Sequence, residues 1–166
     1  MIVLGIDPGS RHMGWGVLDV NGTRFTHVAH GIVHAKEDLS LAARLLIIDD
    51  GLREVLERYR PNEAGVESIF FAKDASAAAK LGHARGVILL ALQRAHVEIH
   101  EYAPAMVKRA VGASGRADKA QVARVVQALL ALREIPKADA ADALALAITH
   151  VNTAPMRAIA AAARRR

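Results

Sequence analysis

There is no cysteine in this chain, which excludes disulfides, thiolate metal sites and a cysteine nucleophile together. Aromatic residues are scarce: three Phe, two Tyr and one Trp in 166 residues, so any that falls outside an apolar run calls for an explanation. Apolar runs are short, Val87 to Leu92 being representative, against the roughly 20 residues a membrane helix needs. The start, Met1-Ile2-Val3-Leu4, has no basic stretch before Asp7, so no signal peptide is expected. These absences predict a cytoplasmic, soluble protein without a membrane contact.

The rest of the composition is that of a globular protein, 52% apolar and 23% charged. The length fits one domain that buries roughly two-thirds of its unfolded surface. We place that domain at residues 1–152, followed by a basic tail, 153–166, that ends in three arginines and is expected to fray from Ala158. A net charge of +5 favours a polyanionic partner, nucleic acid first among them.

Asp7 is the most informative residue. It follows the apolar run Ile2-Val3-Leu4-Gly5-Ile6 and precedes Pro8-Gly9, so a charged carboxylate stands at the end of a buried strand. Such a group costs several kcal/mol unless it is paired or binds a metal. Glu67 stands in the same way after Ala64-Gly65-Val66, and Asp139 and Asp142 open an apolar helix running to His150. Aspartates in a first helical turn have an ordinary explanation in capping and the helix dipole, and a strand-end Asp before Pro-Gly is also turn chemistry. Taken together, the four carboxylates Asp7, Glu67, Asp139 and Asp142 are better explained as a site for divalent cations. Mg²⁺ suits it, being hard and leaving positions for water and phosphate. Two such ions can activate a water and stabilise a leaving 3′ oxygen. In a basic protein, metal ions would also separate those carboxylates from phosphate oxygens.

Periodicity orders the chain as β-β-β-α-β-α-β-α-α-α. Strands are expected over Ile2 to Ile6, Gly14 to Val20 and Arg24 to Val33, with Asn21-Gly22 as a hairpin turn. Leu41, Leu45, Ile48, Leu52, Val55 and Tyr59 make one stripe of a helix over Leu41 to Tyr59. A strand at Ala64 to Val66 and a helix capped by Asp74 and reaching Ala95 follow. Next come a strand at Val97 to His100, a helix opened by Pro104 and one capped by Asp118 with Gln121, ending near Leu132. The last helix should end near His150. The class is α/β, a mixed five-stranded sheet flanked by helices. Asp7 and Glu67 share its carboxyl edge if their strands are neighbours. Asp139 and Asp142, three apart, share a helix face.

Lys119 starts a helix, where the dipole disfavours a cation, and Lys108 and Arg109 lie in the helix before it. Solvated lysines are the ordinary reading; beside an acidic cluster they can neutralise phosphate. Phe70 and Phe71 fall between strand and helix, where one can be core and the other can stack on an unpaired base. His150, two turns beyond Asp142, reads as structural or exposed rather than as a ligand of the acidic set. Leu81, Ile88 and Leu92 offer an apolar face for a twofold dimer, or plain core.

Gly5-Ile6-Asp7-Pro8-Gly9-Ser10, Gly14-Trp15-Gly16, Glu67-Ser68-Ile69-Phe70, Leu81-Gly82-His83-Ala84-Arg85-Gly86 and Asp139-Ala140-Ala141-Asp142-Ala143-Leu144-Ala145 with Thr149-His150 closely resemble the RuvC family of Holliday-junction resolvases, in order and spacing from Met1 to Val151. The resemblance implies an RNase H-like fold and a homodimer that makes paired, Mg²⁺- or Mn²⁺-dependent nicks across four-way junction DNA in recombination and repair. The RuvA-RuvB branch-migration complex is an implied partner. By the same resemblance Asp7, Glu67, Asp139 and Asp142 are the catalytic metal-binding carboxylates, Phe70 engages bases near the junction centre, and Lys108 and Lys119 are required basic residues. Two other readings remain open. An actin-like sugar kinase or ATPase also opens with Gly-Ile-Asp-x-Gly, but needs two related halves and more glycine-rich loops than this length holds. A non-catalytic branched-DNA-binding protein with the same fold would be told apart by a cleavage assay.

Overall fold

The computed structural model describes residues 1–68, 74–112 and 118–163, with side chains as far as residue 154. Five strands, β1 (Ile2–Asp7), β2 (His12–Asn21), β3 (Arg24–His34), β4 (Glu63–Glu67) and β5 (Glu98–Tyr102), form one sheet in the order β3-β2-β1-β4-β5. The first three pair antiparallel through the expected hairpin, where Gly22 takes φ of +61°, a conformation glycine adopts without steric cost. β1, β4 and β5 run parallel, joined by crossovers through α1 (Leu41–Tyr59) and α2 (Ala75–Arg94). Their carboxyl ends therefore share an edge, and Asp7, Glu67 and Tyr102 stand on it.

The sheet separates two apolar layers. On one face Leu4, Ile6, Met13 and Val66 pack with Ile48, Leu52, Ile88 and Leu92 of α1 and α2. Each such aliphatic side chain contributes about 1.5–3 kcal/mol when fully buried. Ile88 and Leu92 are fully buried there, so of the two readings open for them, core of the single chain holds, while Leu81 is half-buried. The other face is covered by α3 (Pro104–Ala110), α4 (Lys119–Leu129) and α5 (Ala138–Ala163). Alternation along β1 sends Leu4 and Ile6 to the first layer and Val3, Gly5 and Asp7 to the second.

Local chemistry sets the helix starts. Ser40 accepts a hydrogen bond from Ala43 N–H at 3.2 Å, Asp74 from Ser76 N–H at 2.9 Å and Asp118 from Gln121 N–H at 2.7 Å, each satisfying an otherwise unpaired amide of a first turn. α1 stops at Arg60, which turns left-handed at φ of +46° and returns its N–H to Leu56 O. Several ends differ from expectation, those of β5 and α5 among them. β5 starts one residue later and ends two residues later than the apolar pattern indicates, because parallel pairing with β4 extends to Glu67 opposite Tyr102. α5 continues past His150 and through Pro155 to Ala163, where fraying was expected from Ala158. The run Ala158 to Ala163 is nearly all alanine, the strongest helix former.

Candidate active site

At glycines of the sheet α5 comes close to the strand backbone with no side chain between them. A methyl group at Gly5 would overlap the carbonyl oxygen of Ala143, and one at Gly14 the carbonyl oxygen of Asp139. Gly16 instead meets the side chain of Leu144, and Gly65 faces Leu146 and His150. Gly14 is the register partner of Asp7. The first turn of α5 is thus pressed onto the backbone beside the end of β1, which brings Asp139 and Asp142 to Asp7. Glu67 completes the group, since Ile6 pairs with Val66 and the next residue of each strand is acidic.

The electrostatics record the convergence. Burial pushes the Asp7 carboxyl up to about 8 from its ordinary 3.8, and the charges of Glu67, Asp142 and Asp139 add to the shift. Glu67 is raised by burial and by Asp142. Asp142 is raised by burial, with Lys119 and Lys108 working against the rise. Burial disfavours the Lys119 ammonium, but the carboxylates prevail and hold its pKa above the usual lysine value. Lys119 Nζ stands 3.2 Å from Asp142 Oδ2 at the mouth of the pocket. A set of partly buried carboxylates that repel one another, with a lysine at the rim, has the donor chemistry for hard divalent cations.

The structure therefore gathers Asp7, Glu67, Asp139, Asp142 and Lys119, and the field of Lys108 reaches Asp142 from α3. Phe70 lies outside the described residues. His150 is buried on the sheet side of α5, away from the acidic group, and its partners are Glu63 at 2.6 Å and the Tyr102 hydroxyl at 2.9 Å. Two further contributors escaped sequence reasoning. His12 places Nδ1 3.6 Å from Asp139 Oδ2. Arg85, inside the Leu81–Gly86 motif, donates from Nε to the Glu67 carbonyl at 3.2 Å and pairs with Glu101 at 2.6 Å, which holds the end of β4 in place. Strand register was the signal for His12, since β2 passes Gly14 opposite Asp7. Arg85 had only its motif. A cavity of about 1040 Å³ lies between β3 and residues 129–137 and includes none of the four carboxylates.

The chain is similar to known proteins. The family model described as crossover junction endodeoxyribonuclease RuvC matches residues 3–150. A protein of that name from Sorangium cellulosum is 57% identical over 162 residues, covering 98% of this chain and 90% of its own, and one from Caulobacter vibrioides is 47% identical over 150 residues, 90% and 89% of the two chains. Thermus thermophilus RuvC in complex with Holliday junction substrate superposes with a TM-score of 0.83 at 36% identity, over 94% of this chain and 96% of that one. The yeast mitochondrial Holliday junction resolvase shares the RNase H-like fold at 14% identity and a TM-score of 0.63, over 90% and 77% of the chains. No described helix is long and apolar enough to cross a membrane. The chain belongs to the RuvC family of crossover junction endodeoxyribonucleases.

Proposed function

We propose that this chain resolves four-way DNA junctions by paired symmetric nicks, with Asp7, Glu67, Asp139 and Asp142 as the catalytic carboxylates holding two Mg²⁺ ions. The observation that supports this most is the meeting of the four carboxylates on the carboxyl edge of β1 and β4, in a chain of this family. The chemistry supplied by such a metal pair is activation of a water and stabilisation of the leaving 3′ oxygen in an in-line displacement at phosphorus. The chain's own part is placement. The glycine contacts beneath α5 fix two of the four carboxylates, and Arg85 fixes the strand end that carries a third. Lys119 is positioned to offset negative charge that grows on the phosphate, and Lys108 to attract the backbone.

Paired cuts need two pockets related by a twofold axis, so the working form is a C2 homodimer. Phe70, three residues after Glu67, is assigned to stacking on a base freed near the crossover. The nuclease domain is residues 1–152, and 153–166 add basic charge. The protein acts in the cytoplasm, and the RuvA-RuvB complex is its branch-migration partner.

Cleavage of a synthetic four-way junction with Mg²⁺ tests the reading. Wild type should nick opposed strands in pairs. Asp7→Asn should abolish nicking and leave junction binding within a few-fold, because losing a negative charge does not weaken phosphate attachment. Full nicking by that variant would remove Asp7 from the site. Binding without nicking by the wild type would leave a non-catalytic junction binder.

A further inference from the structure

The opposite end of β4 carries a second group of metal-type donors. Glu63 begins the strand that Glu67 ends, about 13 Å away at roughly 3.3 Å per residue. His150 follows Asp142 by eight residues on α5, about 12 Å at 1.5 Å per residue. The two offsets match, so the same strand and helix that meet at the acidic pocket meet again here. His150 Nε2 lies 2.6 Å from Glu63 Oε2. His100, in register with Gly65 on β5, brings its Nε2 to 4.0 Å from the same oxygen, and the two imidazole centroids are 4.9 Å apart. One donor atom from each of the three residues lies within 4.8 Å of the others.

We propose that Glu63, His100 and His150 bind a transition-metal ion of the Zn²⁺ class at a site separate from the catalytic pocket. Two imidazoles and one carboxylate suit Zn²⁺, Co²⁺ or Ni²⁺, and they are a poor set for Mg²⁺, which favours oxygen donors and water. Zinc–ligand bonds of about 2.0–2.1 Å place tetrahedral donors roughly 3.3 Å apart. The 2.6 Å contact must therefore open, and the 4.0 Å contact close, by less than about 1 Å each. The first contact is a hydrogen bond in which the imidazole N–H donates to Glu63, and the ion takes that proton's place. That proton passes to His150 Nδ1, so the imidazole stays neutral with the ion bound.

The surroundings fit this role. The Tyr102 hydroxyl, 2.9 Å from His150 Nδ1, can donate to that nitrogen without the ion and accept from it with the ion bound. A fixed partner on the second ring nitrogen is what orients a ligating histidine. Gly65 gives the imidazole room, since a methyl there would stand 3.3 Å from His150 Cβ. Glu63 and His100 are each 22% exposed while His150 is fully buried, so an ion enters from solvent against a closed floor. It must displace the His100–Glu98 contact at 2.9 Å, an exposed pair that contributes little. Bound there, it would tie α5, the carrier of Asp139 and Asp142, to β4 and β5.

The test is Zn²⁺ calorimetry and Co²⁺ visible absorption on tag-free protein held in millimolar Mg²⁺, which occupies the carboxylate pocket. One ion per chain is expected, with the absorption of a four-coordinate nitrogen–oxygen site. His100→Ala and Glu63→Gln should each lower affinity by at least about tenfold while leaving the fold intact by circular dichroism, since both residues are only half-buried. The pair His27 and His30, 2.8 Å apart on β3 at the other edge of the sheet, is the control, and His27→Ala should not change uptake. No uptake in excess Mg²⁺, equal uptake by wild type and His100→Ala, or loss of uptake in Asp142→Asn alone would each overturn the proposal. The reading of the catalytic pocket is independent of it, because a chain that takes up Zn²⁺ without cutting DNA would refute only that reading.

Discussion

Replacing Asp7 with asparagine should make the metal-free protein more stable. Its carboxyl is displaced from 3.8 to about 8 by burial and by three acidic neighbours. A carboxyl whose folded pKa lies above its unfolded value loses stability as the pH rises from the unfolded value to the folded one. The cost of Asp7 thus grows from near pH 4 and is complete above about pH 8. At about 1.4 kcal/mol per pK unit the whole shift sets a ceiling of about 6 kcal/mol. Glu67 and Asp142 are raised too, so protons redistribute among the group, and the substitution relieves only part of the strain. We expect a gain of about 2–3 kcal/mol at pH 8.5 in a chelator, which for 166 residues is a rise in Tm of about 5–10 °C. Near pH 4.5 the two proteins should melt together. Added Mg²⁺ should raise the wild-type Tm at pH 8.5 and move the variant much less. Thermal melts by circular dichroism across this pH range supply the readout. If Asp7→Asn melts at or below wild type throughout in chelator, the carboxylates do not repel as described.

Gly5→Ala should cost at least about 2–3 kcal/mol in urea denaturation, because the added methyl meets the Ala143 backbone rather than a movable side chain. Lys119→Ala should reduce single-turnover cleavage more than junction affinity, since its ammonium sits 3.2 Å from Asp142; equal losses would make it a simple phosphate anchor. Lys108→Ala should weaken junction binding and lower the log–log salt slope by about one unit, read from binding at several salt concentrations. Phe70→Ala should depress cleavage far more than binding with Tm unchanged, and a large drop in Tm would identify Phe70 as core instead.

The parts of the fold legible in the sequence were those set by local patterns. The Leu41–Tyr59 stripe, the Asn21-Gly22 turn and the caps Asp74 and Asp118 are each decided within a few residues of chain, and the structure matches them. Strand ends depend on partners far away in sequence and were misplaced, and the same dependence left Ile88 and Leu92 open between a dimer face and core. The acidic residues stood out because a carboxylate after an apolar run is costly without a partner. What brings them together was not visible. A glycine is silent about what lies over it, so Gly5 and Gly14 carried no sign that a helix backbone rests there. His12 and Arg85 act on Asp139 and on the Glu67 carbonyl from other strands and helices, and no spacing rule connects them.

Contact of backbone with backbone across the sheet has a mechanical meaning. Side chains in an ordinary interface can change rotamer, and the elements they separate can drift by fractions of an ångström as temperature or neighbouring residues change. Here α5 reaches a hard stop against β1 and β2 at Gly5 and Gly14, and the gap cannot shrink further. Any drift is one-sided: a perturbation can lift the helix, but it cannot press the aspartates deeper. Changes elsewhere in the molecule should therefore loosen the carboxylate cluster or leave it alone, and substitutions that improve it by tightening should be absent from any mutational survey of the interface.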